Sequence, residues 1–329
     1  MAKGRQMKRR HRAVVVLGMH RSGTSAITRG LKGIGVHIGD RFLAAAPENP
    51  MGFWENETIL GINSRVLRSI GIDWRDLALL DERTWANQQL HALRAEAAEY
   101  LHTAFASHEL WGFKDPRTIR LLPFWQAVLG DVKADQSFLV VIRNPLSVSR
   151  SLLQVDNMDE AYGNLLWLVH MVPHLDRLQG ERFVVVDYDE VIDDPIRQFE
   201  RIVVSLSLPV LEEWRGGLAD YAENFLDKEL RHSSFAERDW ETDASVNPLS
   251  AVAYGLLRRL ACDELAPDSP QFWSAWSRIS LALPTVSLAG RFPNSCRAGR
   301  GCRRRGLRGL LGGLRGLLGW CGWRRSSPR

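Results

Sequence analysis

Cysteine is scarce: four occur in 329 residues, at 262, 296, 302 and 321, and no C-x-x-C pair is among them. That excludes a zinc ribbon or a disulfide framework as the organising device of the fold. No uninterrupted apolar run approaches the roughly 18 residues that a membrane-spanning helix needs. The apolar stretch after the basic N-terminus, Ala13 to Leu17, is short and runs straight into a glycine-containing loop, a poor match to a secretory leader. Cytoplasm is therefore the expected compartment. Acidic residues are missing from both ends. Residues 1–12 hold six of the 43 Lys and Arg, and residues 291–329 hold eleven more, all Arg. All 38 acids thus lie in 13–290 against the remaining 26 bases, so a formal charge of +5 hides a body that is negative by 12. A basic groove tracking a nucleic-acid backbone is excluded for that body, and no nucleic-acid partner is expected.

What is present is a globular composition, 45% hydrophobic and 25% charged. Ala13–Leu17 is β-branched and apolar throughout, as a strand buried on both faces requires. The same kind of run recurs at 110–113, 137–142 and 182–186, each followed by a turn and a helical pattern. The helical stretches include 118–130, as one segment, and 56–71. Strands alternating with helices predict an α/β fold, a three-layer parallel sheet with helices on both faces. The 211–290 stretch is helical in pattern and rich in Trp. The expected organisation is a basic extension (1–12), a domain over 13–290 with an α/β core (13–210) and a helical C-terminal extension (211–290), and an Arg/Gly/Leu-rich tail (291–329). The tail reads as disordered and solvated. The alternative is a helix that orders on an anionic membrane surface, a peripheral contact rather than a span.

Gly18-Met19-His20-Arg21-Ser22-Gly23-Thr24-Ser25 links the first strand to the first helix. Backbone N–H groups of such a loop converge on one point at a helix N-terminus and favour a phosphate. The spacing is that of G-x4-G-K-[ST], but Thr24 stands where the lysine of a nucleoside triphosphatase would be. A single phosphate-like group with Arg21 beside it is the better match; the plain alternative is a tight turn in which glycine only permits positive φ. A second stretch, Arg143 to Ser151, starts at a strand end, where open α/β sheets bind ligands. Arg143 and Ser151 suit a second phosphate, provided the chain folds back after Pro145.

The two stretches together resemble the donor-binding sequences of sulfotransferases that use 3′-phosphoadenosine 5′-phosphosulfate, closest to the bacterial branch that opens G-M-H-R-S-G-T-S. The resemblance spans about 13–210 and includes 184–195, with its strand-end tyrosine. It implies a P-loop NTPase-like fold. It also implies a 5′-phosphosulfate site at Arg21, Ser22, Gly23, Thr24 and Ser25, and a 3′-phosphate site at Arg143 and Ser151. Sulfuryl transfer requires positioning and charge offset, and a metal is not obligatory. Cytosolic members place a base histidine in a K-x-H context, whereas Lys114 is followed by Asp115-Pro116. Carbohydrate and tyrosylprotein members use a glutamate. Glu55 matches that role best and Glu48 second; the alternative for Glu55 is a helix N-terminal acid. Lys114, in a K-D-P like that of tyrosylprotein members, is expected on the bridging oxygen.

Asp115 and Arg117 read best as a structural pair, the alternative being Arg117 on the cofactor or on an acidic acceptor, and His20 is either part of the cradle or solvent-facing. The acceptor, a small molecule or carbohydrate, would meet 36–108 and 211–290. Trp54, Trp74, Trp85 and Trp111 there are mostly core. The sulfotransferase reading stands against two others, a nucleotide-dependent kinase on the same scaffold and a non-catalytic membrane-associated binding protein. Oligomeric state is not legible.

Overall fold

A computed structural model describes residues 11–46, 49, 51–210, 214–226 and 246–289. The tail 291–329, most of the N-terminal basic segment and Glu48 lie outside them. The chain divides into two compact units, Met1–Ser287 and Leu288–Arg329. All that follows concerns the first.

Four parallel strands form one sheet: β1 (Arg12–Leu17), β2 (Leu110–Lys114), β3 (Asp135–Ile142) and β4 (Phe183–Asp187), in the order β2-β1-β3-β4. The alternation along β1 separates two cores. Val14 and Val16 enter one; Ala13, Val15 and Leu17 enter the other. The first is covered by α1 (Thr24–Gly33), α8 (Pro195–Ser205) and α9 (Trp214–Asp220), through Ile27, Leu31, Phe199, Ile202 and Leu218. The second is covered by α2 (Glu57–Ser69), α3 (Gln89–Phe105), α4 (Leu122–Asp131), α5 (Pro145–Asp156) and α6 (Glu160–Leu175). Two C-terminal helices, α10 (Pro248–Ala261) and α11 (Pro270–Ala289), add Tyr254, Leu257, Phe272 and Trp276 to that same core. A short helix, α7 (Tyr188–Asp193), follows β4. Strands buried on both faces explain why the β-branched runs read so clearly.

Two expectations shift. The first strand begins at Arg12, which pairs with Asp135 at 3.0 Å across to β3. The segment 118–130 is not one helix. A 3₁₀ turn over Pro116–Ile119 precedes α4, and Pro123 stands in the first turn of α4. Proline cannot donate its nitrogen to a preceding turn, so the helix restarts there. Among the described residues, no helix is long and apolar enough to cross a membrane.

The C-terminal helices also reach the ligand end of the sheet. Tyr254 Oη donates to Asp187 Oδ2 at 2.7 Å, and Arg258 lies 3.7 Å from the same oxygen. Burial raises the Asp187 pKa to about 6, against the Tyr254 hydrogen bond that lowers it. A carboxyl whose folded pKa is raised stabilises the fold at acid pH and weakens it as pH climbs from the unfolded value toward 6. Asp187→Asn is therefore expected to gain about 1–3 kcal/mol at pH 8 and little at pH 4, at 1.36 kcal/mol per pKa unit. Urea unfolding at the two pH values measures it; an equal change at both would contradict it.

Candidate active site

The loop after β1 turns on two left-handed residues, Arg21 (φ 65°) and Gly23 (φ 82°). Gly23 is the N-cap of α1. A β-carbon there would collide with the Tyr188 ring, so the backbone must approach that ring as closely as only glycine permits. Gly18 is held the same way: its β-carbon would lie 2.6 Å from the Val141 carbonyl oxygen of β3. The tight-turn reading and the ligand reading are thus both served by one geometry. Ser22 Oγ is buried and has no hydrogen-bond partner among the described residues. Buried hydroxyls are rarely left unpaired, so the loop holds hydrogen-bonding capacity that the chain itself does not use.

The loop lacks a lysine of its own, and one arrives from the neighbouring strand. Lys114 closes β2 and is 1% exposed. Its ammonium donates to Ser25 Oγ (3.1 Å), to the Phe53 carbonyl (2.6 Å) and to Glu55 Oε1 (2.9 Å). Ser25 Oγ in turn donates to the same Phe53 carbonyl at 2.9 Å. Glu55, 6% exposed, also faces Arg117, whose Nη1 is 3.7 Å from Oε2. Burial raises the Glu55 pKa and lowers that of Lys114, while each charge pulls the other back toward the ionised form. Glu55 is not the helix acid. The α2 N-cap is Asn56, whose side chain accepts from the Thr58 and Ile59 nitrogens, and the first-turn acid is Glu57. Asp115 and Arg117 do pair, with Nη1 at 3.0 and 3.1 Å from the two carboxylate oxygens, and Asp115 also caps the 3₁₀ turn.

Arg143 follows β3 on the far side of the loop. Its Nη1 donates to the Arg21 carbonyl at 3.2 Å, and its guanidinium lies 4.9 Å from the centre of the Tyr188 ring. The chain does not fold back after Pro145: α5 runs unbroken from Pro145 to Asp156, capped by the Asn144 side chain. Ser151 joins the loop by another route, accepting from Arg21 Nε at 2.9 Å. Arg21 therefore bridges the two stretches, with its carbonyl on Arg143 and its side chain on Ser151.

His20 does not simply face solvent. Its ring stacks on Trp74 at 4.0 Å between centroids, and its Nε2 is buried. Burial, then Arg117, His170, Lys114 and Arg75, hold its pKa well below the ordinary value, so the ring is neutral. Trp74 and Trp111 are buried in the larger core, and Trp85 packs partly against it. Trp54 instead packs beside Phe42 and Phe225, with its centroid 5.3 and 6.2 Å from theirs. Two residues beyond the sequence reading belong to this region. Asn49 Nδ2 donates to the Gly52 carbonyl at 2.9 Å, shaping the turn that presents Phe53 and Glu55. Arg120, fully buried, donates to four carbonyls of the 73–78 loop. Arginine at this spacing carries no signal that distinguishes it from an exposed helix residue.

No curated protein matches this chain. Among solved structures, it is similar to the sulfotransferase domain of the olefin synthase of Synechococcus PCC 7002, at 16% identity and a TM-score of 0.41, covering 89% of this chain and all of that one. A sulfotransferase from Mycobacterium tuberculosis gives 15% identity and a TM-score of 0.39, over 64% of this chain and 71% of that one. The sulfotransferase domain of the curacin biosynthetic pathway gives 12% and 0.41, over 78% and 98%. The sulfotransferase family model matches residues 13–213, more than half of the chain. With its parallel sheet, its P-loop-like turn and its C-terminal helices, this chain belongs to the sulfotransferase family.

Proposed function

We propose that the chain transfers a sulfuryl group from 3′-phosphoadenosine 5′-phosphosulfate to a hydroxyl of a glycan, glycolipid or small molecule. One observation carries the reading: two cations from the strands on either side of β1 reach the same glycine-containing loop, Lys114 at Ser25 and Arg143 at Arg21. The residues suit a doubly anionic donor. The unpaired Ser22 hydroxyl, the close-approach glycine and the N-terminus of α1 supply donors at one end. Arg143 and Ser151 supply them at the other.

When bound, the donor supplies the sulfuryl group and an anionic leaving group. Lys114, desolvated and one strand away from the loop, offsets charge developing on the bridging oxygen. Glu55 takes the acceptor hydroxyl's proton. Burial raises its pKa toward that of a working base, while Lys114 and Arg117 keep it ionised. Arg117 is held in place by Asp115.

Calorimetry with adenosine 3′,5′-bisphosphate tests the donor site. The wild type is expected to bind, and Arg21→Ala and Arg143→Ala each to weaken binding by about 2 kcal/mol or more, at least about 30-fold. A wild type that does not bind would overturn the reading.

A further inference from the structure

The donor site leaves one feature unused. A cleft of about 570 Å³ opens between the C-terminal half of α2 and the 71–76 loop, and Arg117 is part of its lining. Arg117 also places its guanidinium 3.7 Å from Glu55 Oε2. The cleft and the buried carboxylate therefore share Arg117, and the cleft's volume is that of a small-molecule site.

Its wall is built by a buried charge. Arg120 Nη1 donates to the carbonyls of Asp73 (3.3 Å), Trp74 (3.4 Å) and Asp76 (2.9 Å), and Nη2 to that of Ala78 (2.7 Å). Both terminal nitrogens of this guanidinium are spent on one loop's backbone, with no carboxylate paired to them among the described residues, and they fix that loop's shape. Burial lowers its pKa to about 10, so it stays charged at neutral pH. Trp74 is held by two further contacts, the stacked His20 ring of the donor loop at 4.0 Å and the Arg75 guanidinium at 4.3 Å from its ring centre.

The chemistry of the lining selects among acceptors. Arg68 and Arg117 balance Asp73 and Asp76, with the Ser64 hydroxyl between them in character. A polyanionic acceptor would meet two carboxylates. A hydrocarbon chain would meet Leu67, Ile72 and Trp74 there, but it would also cover the four charges without satisfying any of them. Neutral hydroxyls donate to carboxylates and accept from guanidiniums, so they satisfy both.

Resting on the sulfuryl-transfer reading, we propose that this cleft is the acceptor site, that it takes a neutral polyhydroxylated acceptor such as an uncharged sugar, and that Arg120 is the positioning residue that shapes it. In the reaction, the acceptor's O–S bond forms as the donor's S–O bond breaks. The hydroxyl proton passes to Glu55, and adenosine 3′,5′-bisphosphate leaves.

The experiment compares transfer from the labelled donor to uncharged p-nitrophenyl glycosides, to a long-chain alcohol and to a sulfated oligosaccharide, with nucleotide affinity measured alongside. Glycosides are expected to be the preferred acceptors. Ser64→Trp, a substitution at a half-buried position on α2, is expected to raise the glycoside KM by about tenfold or more while nucleotide affinity holds within about twofold. Arg120→Met is expected to raise KM in the same way, and Arg120→Lys to recover part of it. If Arg120→Met does not fold, Ser64→Trp decides alone. Intact nucleotide binding with an unchanged KM in Ser64→Trp, or with the alcohol or the sulfated acceptor preferred, overturns the cleft assignment. No nucleotide binding by the wild type overturns the underlying reading instead.

Discussion

Glu55→Gln is expected to lower kcat by about 10²–10⁴-fold, the usual worth of a positioned general base, and to leave adenosine 3′,5′-bisphosphate binding intact. The substitution keeps the side chain's volume and an oxygen for Lys114 to donate to. What it removes is the ability to take a proton. The pH profile adds a second readout. Burial raises the Glu55 pKa, so wild-type kcat/KM is expected to fall on the acid side at a pH above that of an ordinary carboxylate, with a slope of one. The residual rate of Glu55→Gln has no such limb. Full activity, or an unchanged acid limb in the variant, would place the proton elsewhere.

Lys114→Met has the second large effect, and it is first an effect on stability. The ion pair joins a side chain 1% exposed to one 8% exposed. Removing the cation leaves a buried carboxylate opposed only by Arg117 at 3.7 Å, at a cost of about 3–5 kcal/mol at neutral pH. The sign with pH follows from protonation. Without Lys114, the folded-state pKa of Glu55 rises further, so the penalty is full above that pKa and is relieved as pH falls through it. Destabilisation should be smaller at pH 5 than at pH 8. The double variant Lys114→Met/Glu55→Gln should be more stable than Lys114→Met alone, because it carries no orphaned charge. Chemical denaturation of the four proteins closes the cycle. If the double variant is as unstable as the sum of the singles, the pair is not the interaction described here.

The strands and the loop were legible because their signals are local. A strand of Val14, Val15 and Val16 needs no partner to be recognised, and Gly18 to Ser25 carries its own spacing. The contacts that make the site are not local. Lys114 and Glu55 are 59 residues apart, and Arg21 and Ser151 are 130 apart. Residue type nominated those four, but nothing in the chain says that Arg21, rather than Arg143, reaches Ser151. That outcome depends on α5 continuing straight from its Asn144 cap. Arg120, and the Trp74 partner of His20, escaped for a related reason. These contacts come from carbonyls and a ring supplied by the 73–78 loop, and backbone acceptors leave no trace in sequence.

The strand order acts as a ruler. β1 lies between β2 and β3, so Lys114 and Arg143 belong to strands two spacings apart, about 10 Å across the sheet, and the register sets Lys114 level with Leu139, four residues short of Arg143. A lone sulfate or a pyrophosphate can meet one end at a time. A ligand must carry separated negative groups on a rigid spacer to engage both, and only such a ligand gains from holding the second once the first is bound. For the donor proposed above, discrimination against the small anions of the cell would thus be set by the width and register of the sheet, before any contact to a nucleobase is made.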